Sequence, residues 1–201
     1  MCMPLGMNIL WASMGGSYTN QSKLNESIKD IGLSPIRQNF SQFGVGYLGI
    51  SDRLSYGVDL NLLVHTNSAV VVGDTTRPWM RAMQLTPRIG YSLYAIDELH
   101  IFPSLGVGVG GNYLRSLDDN TGKAKKYNAC GSYLDAAVNV LFTQPVADNR
   151  NLSVVVNAQV GYLYTPLGWK MKIPNSAISP VLSSPQGIYF RICVGMGPNK
   201  Y

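Results

Sequence analysis

From Leu54 to Val64 every second residue is apolar: Leu54, Tyr56, Val58, Leu60, Leu62 and Val64 lie on one side, and Ser55, Gly57, Asp59, Asn61 and Leu63 on the other. A period of two is that of an extended strand with two unlike faces, since successive side chains on a strand point in opposite directions. The same alternation recurs in eight segments, 5–16, 41–50, 54–66, 81–95, 98–114, 129–143, 151–165 and 186–197. No run of about 18 apolar residues occurs, so a membrane-crossing helix is excluded. The connections alternate too. "SDR" (51–53), "AIDE" (95–98) and "TQPVADN" (143–149) are tight turns, whereas long stretches fall near 17–40, 67–80, 115–128 and 166–185. Short turns at one end and long loops at the other describe an all-β, eight-stranded antiparallel up-and-down barrel. The length of 201 residues fits one domain over 1–201.

Which face of the strands looks inward decides between two barrels. Charged residues make up 13 % of the chain, against about 25 % in soluble domains, although the hydrophobic share of 46 % is ordinary. A surface so short of charge is not built for water. The second face of the strands carries Gly, Ser and Asn with a few ionisable groups, Asp59, Arg88, His100, Asp135 and Arg191. That is too sparse for a solvated exterior and too charged for an unpaired core. The expected structure is therefore a transmembrane barrel, with the apolar rows against lipid and a glycine-lined lumen. Unpaired ions there would cost several kcal/mol, so Asp59, Arg88, Asp135 and Arg191 should form one network, with His100 as a luminal hydrogen-bonding residue. In "LHIFPSLGVGVGGNY" (99–113), Leu99, Ile101, Leu105, Val107 and Val109 are then outward, and His100, Ser104 and Gly106, Gly108 and Gly110 inward.

Trp11, Phe43, Tyr47, Tyr56, Tyr91, Phe142, Tyr162, Tyr164 and Phe190 are expected on the outer face, as belts at the two interfaces. Pro87 and Pro103 fall inside strands, where each removes a ladder donor, and should mark bulges or breaks. In the first long connection Leu24, Ile28 and Ile31 stand at helical spacing between a cap at Ser22 and a stop at Gly32, so a short helix is expected.

Other classes find little support. Cys2, Cys130 and Cys193 have neither zinc-ligand spacing nor the even number of a disulfide framework, and no metal or cofactor is expected. The net charge of +5 comes largely from loop residues without a basic helix, which argues against nucleic acid. "GVGVGG" lacks both a following helix and a G-K-[ST] sequence, so it is no phosphate loop. Eight strands leave no room for an open pore. "MCMPLGMNIL" has no basic or long apolar region, so any export signal is expected to be removed or upstream. Loops 115–128 and 166–185 are the expected interaction surfaces, through Lys123, Lys125, Lys126, Trp169 and Lys170, with Trp169 an exposed anchor for an extracellular protein or glycan.

The runs "GMNILWASMGG", "FSQFGVGYLGISDRLSYGVDLNLL", "LTPRIGYSLYAIDELHIFPSLGVGVGGNY" and "GIYFRICVGMG" resemble, in pattern and order, the eight-stranded outer-membrane β-barrel proteins of Bacteroidetes-type bacteria. The broader architecture is similar to that of the OmpA transmembrane domain and OmpX. The resemblance implies a monomer in a bacterial outer membrane, surrounded by its lipid, and an assembly route that favours a terminal aromatic residue, here Tyr201. A structural, adhesive or partner-binding role is expected from the long loops, which the barrel leaves free to vary, and the chain offers no catalytic constellation. Two alternatives stand beside it. Some barrels of this size modify lipid A with a His and a Ser on a lipid-facing strand, which "VHTNSA" (His65, Asn67, Ser68) resembles in part. The other alternative is a soluble lipocalin-like carrier of apolar ligands.

Overall fold

The computed structural model describes residues 6–22, 24–26, 36, 38–65, 79–96, 98–117, 124–146, 149–171, 181–183 and 186–198. Eight long strands build the fold: β1 (Met7–Thr19), β2 (Asn39–Ser51), β3 (Leu54–Val64), β4 (Trp79–Tyr91), β6 (Leu99–Leu117), β7 (Ala124–Val146), β8 (Asn149–Tyr164) and β11 (Gly187–Pro198). Three short ones accompany them, β5 (Tyr94–Ile96), β9 (Trp169–Met171) and β10 (Val181–Ser183). The long strands pair antiparallel in the order β4-β3-β2-β1-β11-β8-β7-β6, and β6 returns to β4, which closes the barrel. Closure leaves no sheet edge, so backbone donors and acceptors are met within the ring, as hydrocarbon surroundings demand.

Following ladder partners round the barrel from Gly90 leads through Ser104, Ala137, Gly161, Tyr189, Ser17 and Phe40. One step further His65 donates its backbone N–H to Met80. The walk thus returns to β4 ten residues nearer the loop end than it began. A stagger of this size in eight strands corresponds to a tilt of about 40° from the barrel axis.

The two faces divide as the alternation requires. Leu10, Met14, Val45, Leu85, Ile89, Leu105, Val107, Val138, Val160 and Ile192 all point outward and are exposed, Leu10 by 70 % and Leu105 by 65 %. Each such side chain in water would forgo about 1.5–3 kcal/mol of burial, so the girdle belongs in hydrocarbon. A soluble carrier needs the opposite arrangement. Phe43, Tyr56, Tyr91, Phe142, Tyr162, Tyr164 and Phe190 are exposed on this outer face. Tyr47 is half-buried and donates its hydroxyl to Asn8 Oδ1 at 2.5 Å.

Trp11 departs from expectation, because it lies inside the barrel, 5 % exposed. Ile9, Trp11, Ser13 and Ser17 form the inward row of β1, and Leu10, Ala12, Met14 and Tyr18 the outward one. The lumen is also less uniformly polar than expected. Met7, Ile9, Trp11, Leu48, Ile50, Phe102, Leu141, Val155 and Cys193 pack together toward the turn end. A second apolar cluster, including Phe40, Leu63, Met80, Leu114, Tyr133 and Trp169, fills the loop end.

The two prolines sit where the ladder changes. Between β4 and β6 the pairing runs to Leu85↔Val109 and resumes at Arg88↔Gly106, so Thr86 and Pro87 fall in a gap. Pro103 lies where β6 exchanges β4 for β5 as neighbour, between Ser104↔Gly90 and Ile101↔Tyr94. In the first connection, residues 22 and 24–26 are helical, and the cap is Asn20 rather than Ser22: its Oδ1 accepts the backbone N–H of Ser22 at 3.1 Å. Leu24 is buried in the loop-end cluster. Ile28, Ile31, Gly32, Cys2 and Tyr201 lie outside the described residues.

Candidate functional site

Between the two apolar clusters lies a layer of charge. Asp59 on β3, Arg88 on β4, Asp135 on β7 and Arg191 on β11 are inward positions of four strands, and all four are buried. Arg88 Nη2 reaches Asp59 Oδ2 at 2.6 Å and Asp135 Oδ2 at 2.9 Å, while Arg191 Nη2 reaches Asp59 Oδ2 at 2.6 Å. Two carboxylates and two guanidinium groups thus form one neutral chain of ion pairs.

Neighbours take up much of its remaining hydrogen-bonding capacity. Arg191 donates through Nη1 to Asn61 Oδ1 at 2.8 Å and through Nε to Gln159 Oε1, and its guanidinium carbon lies 5.5 Å from the centre of the Tyr189 ring. Trp11 Nε1 donates to Asp59 Oδ1 at 3.0 Å, and the Tyr189 hydroxyl to Asp135 Oδ1 at 2.8 Å. Such partners make buried ions tolerable, because each would otherwise carry an uncompensated desolvation cost. Gly46 faces the Trp11–Asp59 pair so closely that any Cβ there would collide with both side chains.

Trp11, Asn61, Gln159 and Tyr189 were not assigned to this network from the sequence. Asn61 and Tyr189 share the parity of Asp59 and Arg191 on β3 and β11, and Gln159 lies with Ser153 and Asn157 on one face of β8, so their side of the strand was readable. Trp11 was not, since an aromatic residue suits either face of such a strand.

His100 is buried in the lumen, and its Nδ1 has no hydrogen-bond partner among the described residues. A separate polar chain lies near it: Asn139 Nδ2 donates to Ser104 Oγ at 2.9 Å and to the Phe102 carbonyl at 3.2 Å, and Asn157 Nδ2 donates to Asn139 Oδ1 at 3.3 Å.

Of the loop residues, Lys126 is exposed near the start of β7. Lys125 and Lys170 are placed by their backbone on β7 and β9, and Lys123 lies outside the described residues. Trp169 is not an exposed anchor. It is 1 % exposed, its Nε1 donates to the Ser132 carbonyl at 3.3 Å, and its ring lies 6.4 Å from that of Tyr133. Gly110 and Gly131 give it room: a Cβ would come within 2.8 Å of Trp169 Cη2 at the first and 2.5 Å of Cδ1 at the second. The indole is thereby turned from the solvent into the barrel mouth. His65 is likewise buried, edge-on to Phe40 with centroids 5.3 Å apart, away from the lipid face. Asn67 and Ser68 lie outside the described residues. Among the described residues no group of three metal-ligating side chains occurs.

No protein-family model matches the chain, and no curated protein matches it in sequence. Among solved structures it is similar to Ail, the attachment invasion locus protein of Yersinia pestis, with 11 % identity, 98 % of this chain and 99 % of that chain covered, and a TM-score of 0.52. A major outer membrane protein from Thermus thermophilus follows at 12 % identity, with 96 % and 98 % covered and a TM-score of 0.49. Neisserial surface protein A has 9 % identity, 97 % of both chains covered and a TM-score of 0.46. At such identities the likeness is one of fold. The closed ring of eight antiparallel strands and the apolar exterior together define an integral outer-membrane β-barrel, located in a bacterial outer membrane.

Proposed function

We propose that this protein acts through its loop end, as a closed barrel that presents a binding surface to an extracellular protein or glycan and conducts nothing through its lumen. The observation that carries this reading is the unequal height of the strands. β8 ends at Tyr164, whose ladder partner is Leu134, yet β7 begins at Ala124 and pairs with β6 up to Leu117↔Ala124. Residues 124–133 of β7 therefore extend beyond the end of β8, as part of a paired β6–β7 ribbon bearing Arg115 and Lys126 on its outer side. Lys125, also on β7, adds to its basic character. A stiff basic ribbon is suited to an acidic partner, and sulfated glycans are the probe class its charge selects.

The test uses the purified barrel in detergent on an immobilised sulfated polysaccharide. The intact protein should be retained, and a variant in which Arg115, Lys125 and Lys126 are each changed to Gln should elute at clearly lower salt. Equal elution of the two would overturn the loop reading. In planar bilayers the intact protein should give no unitary current, and regular current steps would overturn the closed-lumen reading.

A further inference from the structure

Trp169 lies across a floor made of two glycines. Gly110 and Gly131 are direct ladder partners on β6 and β7. A Cβ at Gly110 would stand 2.8 Å from Trp169 Cη2 and one at Gly131 2.5 Å from Cδ1, so the indole spans the pair along its length. It reaches that floor from a separate element. β8 ends at Tyr164, the chain turns between Thr165 and Gly168, and Gly168 adopts a φ of +59°, which favours glycine. Trp169 then opens β9, whose ladder partner is β10, so the indole is held by a two-stranded hairpin outside the barrel sheet.

Below the indole is a level of uncharged polar groups. The ten-residue stagger is shared among eight ladder steps, so each step from β1 through β2 and β3 to β4 climbs slightly more than one residue toward the loops. Gln84 is three steps from Ser13 and therefore level with Ser17, four residues further along β1. Gln42, one step from Gly15, falls within one residue of that level. In the other direction Ala137 lies three steps below Ser17, and Tyr133, four residues nearer the loops on β7, regains the height. Ser17, Gln42 and Gln84 are inward and more than nine-tenths buried. Ser17 Oγ, Gln42 Oε1 and Gln84 Nε2 have no hydrogen-bond partner among the described residues, although buried polar atoms are almost always paired. Gln84 also borders the glycine floor, since a Cβ at Gly110 would stand 3.3 Å from its Cγ. Among the described residues no carboxylate or cation points inward at this level, and Asp135 beneath it is already paired with Arg88.

We infer that the barrel mouth is a binding site for a small neutral sugar bearing an amide, an N-acetylated monosaccharide, and that Trp169 is its lid. The chemistry of the level selects this class. Gln42 Oε1 can accept from an amide N–H, Gln84 Nε2 can donate to an amide carbonyl, and Ser17 Oγ can do either for a ring hydroxyl. The paired glycines and the Tyr133 ring supply flat walls for the apolar face of the sugar. An indole and a single sugar ring are of similar size, so the ligand takes the place that Trp169 leaves when the hairpin swings up at Gly168. The site is separate from the basic ribbon, none of whose cations takes part in it.

Isothermal titration calorimetry of the intact protein in detergent micelles tests this, with N-acetylglucosamine, glucose and glucosamine as probes. N-acetylglucosamine should bind, and glucose, which lacks the amide, should bind roughly tenfold more weakly or less. Glucosamine, which carries a cation into an uncharged level, should give no measurable heat. Trp169→Gly should bind N-acetylglucosamine about tenfold more tightly, because a closed lid no longer lowers the apparent affinity. Gln42→Met together with Gln84→Met should abolish binding and leave the barrel at least as resistant to urea, since neither buried amide then lacks a partner. Heat-modifiable migration on gels verifies that each variant folds. The wild type supplies a second measurement that needs no variant: N-acetylglucosamine should lift an indole from its seat and so increase quenching of Trp fluorescence by acrylamide. Equal affinity for glucose, wild-type binding as tight as that of Trp169→Gly, binding that survives the double Gln variant, or quenching indifferent to the sugar would each overturn the assignment.

Discussion

Arg191 shows how much one side chain carries here. It contacts Asp59, Asn61 and Gln159 with its three nitrogens, and it is 1 % exposed. Arg191→Leu would leave Asp59 to Arg88 alone and give the buried layer a net negative charge. Breaking a buried pair from one side typically costs about 3–5 kcal/mol, and that loss is expected in urea unfolding of the barrel in micelles. The double variant Asp59→Asn, Arg191→Gln should cost less than the sum of its two single changes, because neither partner is then left charged. The four ions could be read from the sequence because a carboxylate or guanidinium on a strand facing lipid is so costly that parity alone puts it inside. Trp11 could not be placed that way. At the turn end the lumen is itself apolar, so Ile9 and Trp11 on one side of β1 and Leu10 on the other look alike, and nothing in their chemistry chooses the face. Trp169 eludes the sequence for a related reason: its seat is made by Gly110 and Gly131, which sequence distance separates from it and only the barrel brings near.

The strands themselves were legible to within a few residues, since a period of two maintained over eleven or more positions requires an extended chain with two unlike faces. Their heights were not. β6 and β7 prolong their pairing through residues such as Asn112↔Ala129 and Arg115↔Lys126, where the apolar alternation has already faded. The role of the prolines also depends on pairing rather than on sequence. Pro87 faces a stretch of β6 that finds no ladder partner on β4 at Val107 and Gly108. Hydrogen exchange in micelles should therefore be faster at residues 107–108 than at 109–111, whose pairing with β4 is unbroken. Pro87→Val restores a backbone donor and should slow exchange across that gap. No change in the exchange of β6 would mean that the proline does not hold the gap open.

At the scale of the molecule, the barrel is stapled by contacts between strands far apart in the chain. Asp59 and Arg191 meet across most of its length, and β1 pairs with β11 from Leu10↔Met196 to Thr19↔Gly187. Unfolding should accordingly be a single transition, with Trp fluorescence and gel migration changing together on a common denaturant axis. Separate midpoints for the two signals would show that one part of the ring opens before the rest. The charge layer also ties neutrality to closure. Without β11, Asp59, Arg88 and Asp135 would set two negative charges against one positive in the lumen, and only Arg191 on β11 balances them. The contact that completes the ring is therefore the one that makes its interior neutral, so an open ring would bear the desolvation cost of an uncompensated carboxylate.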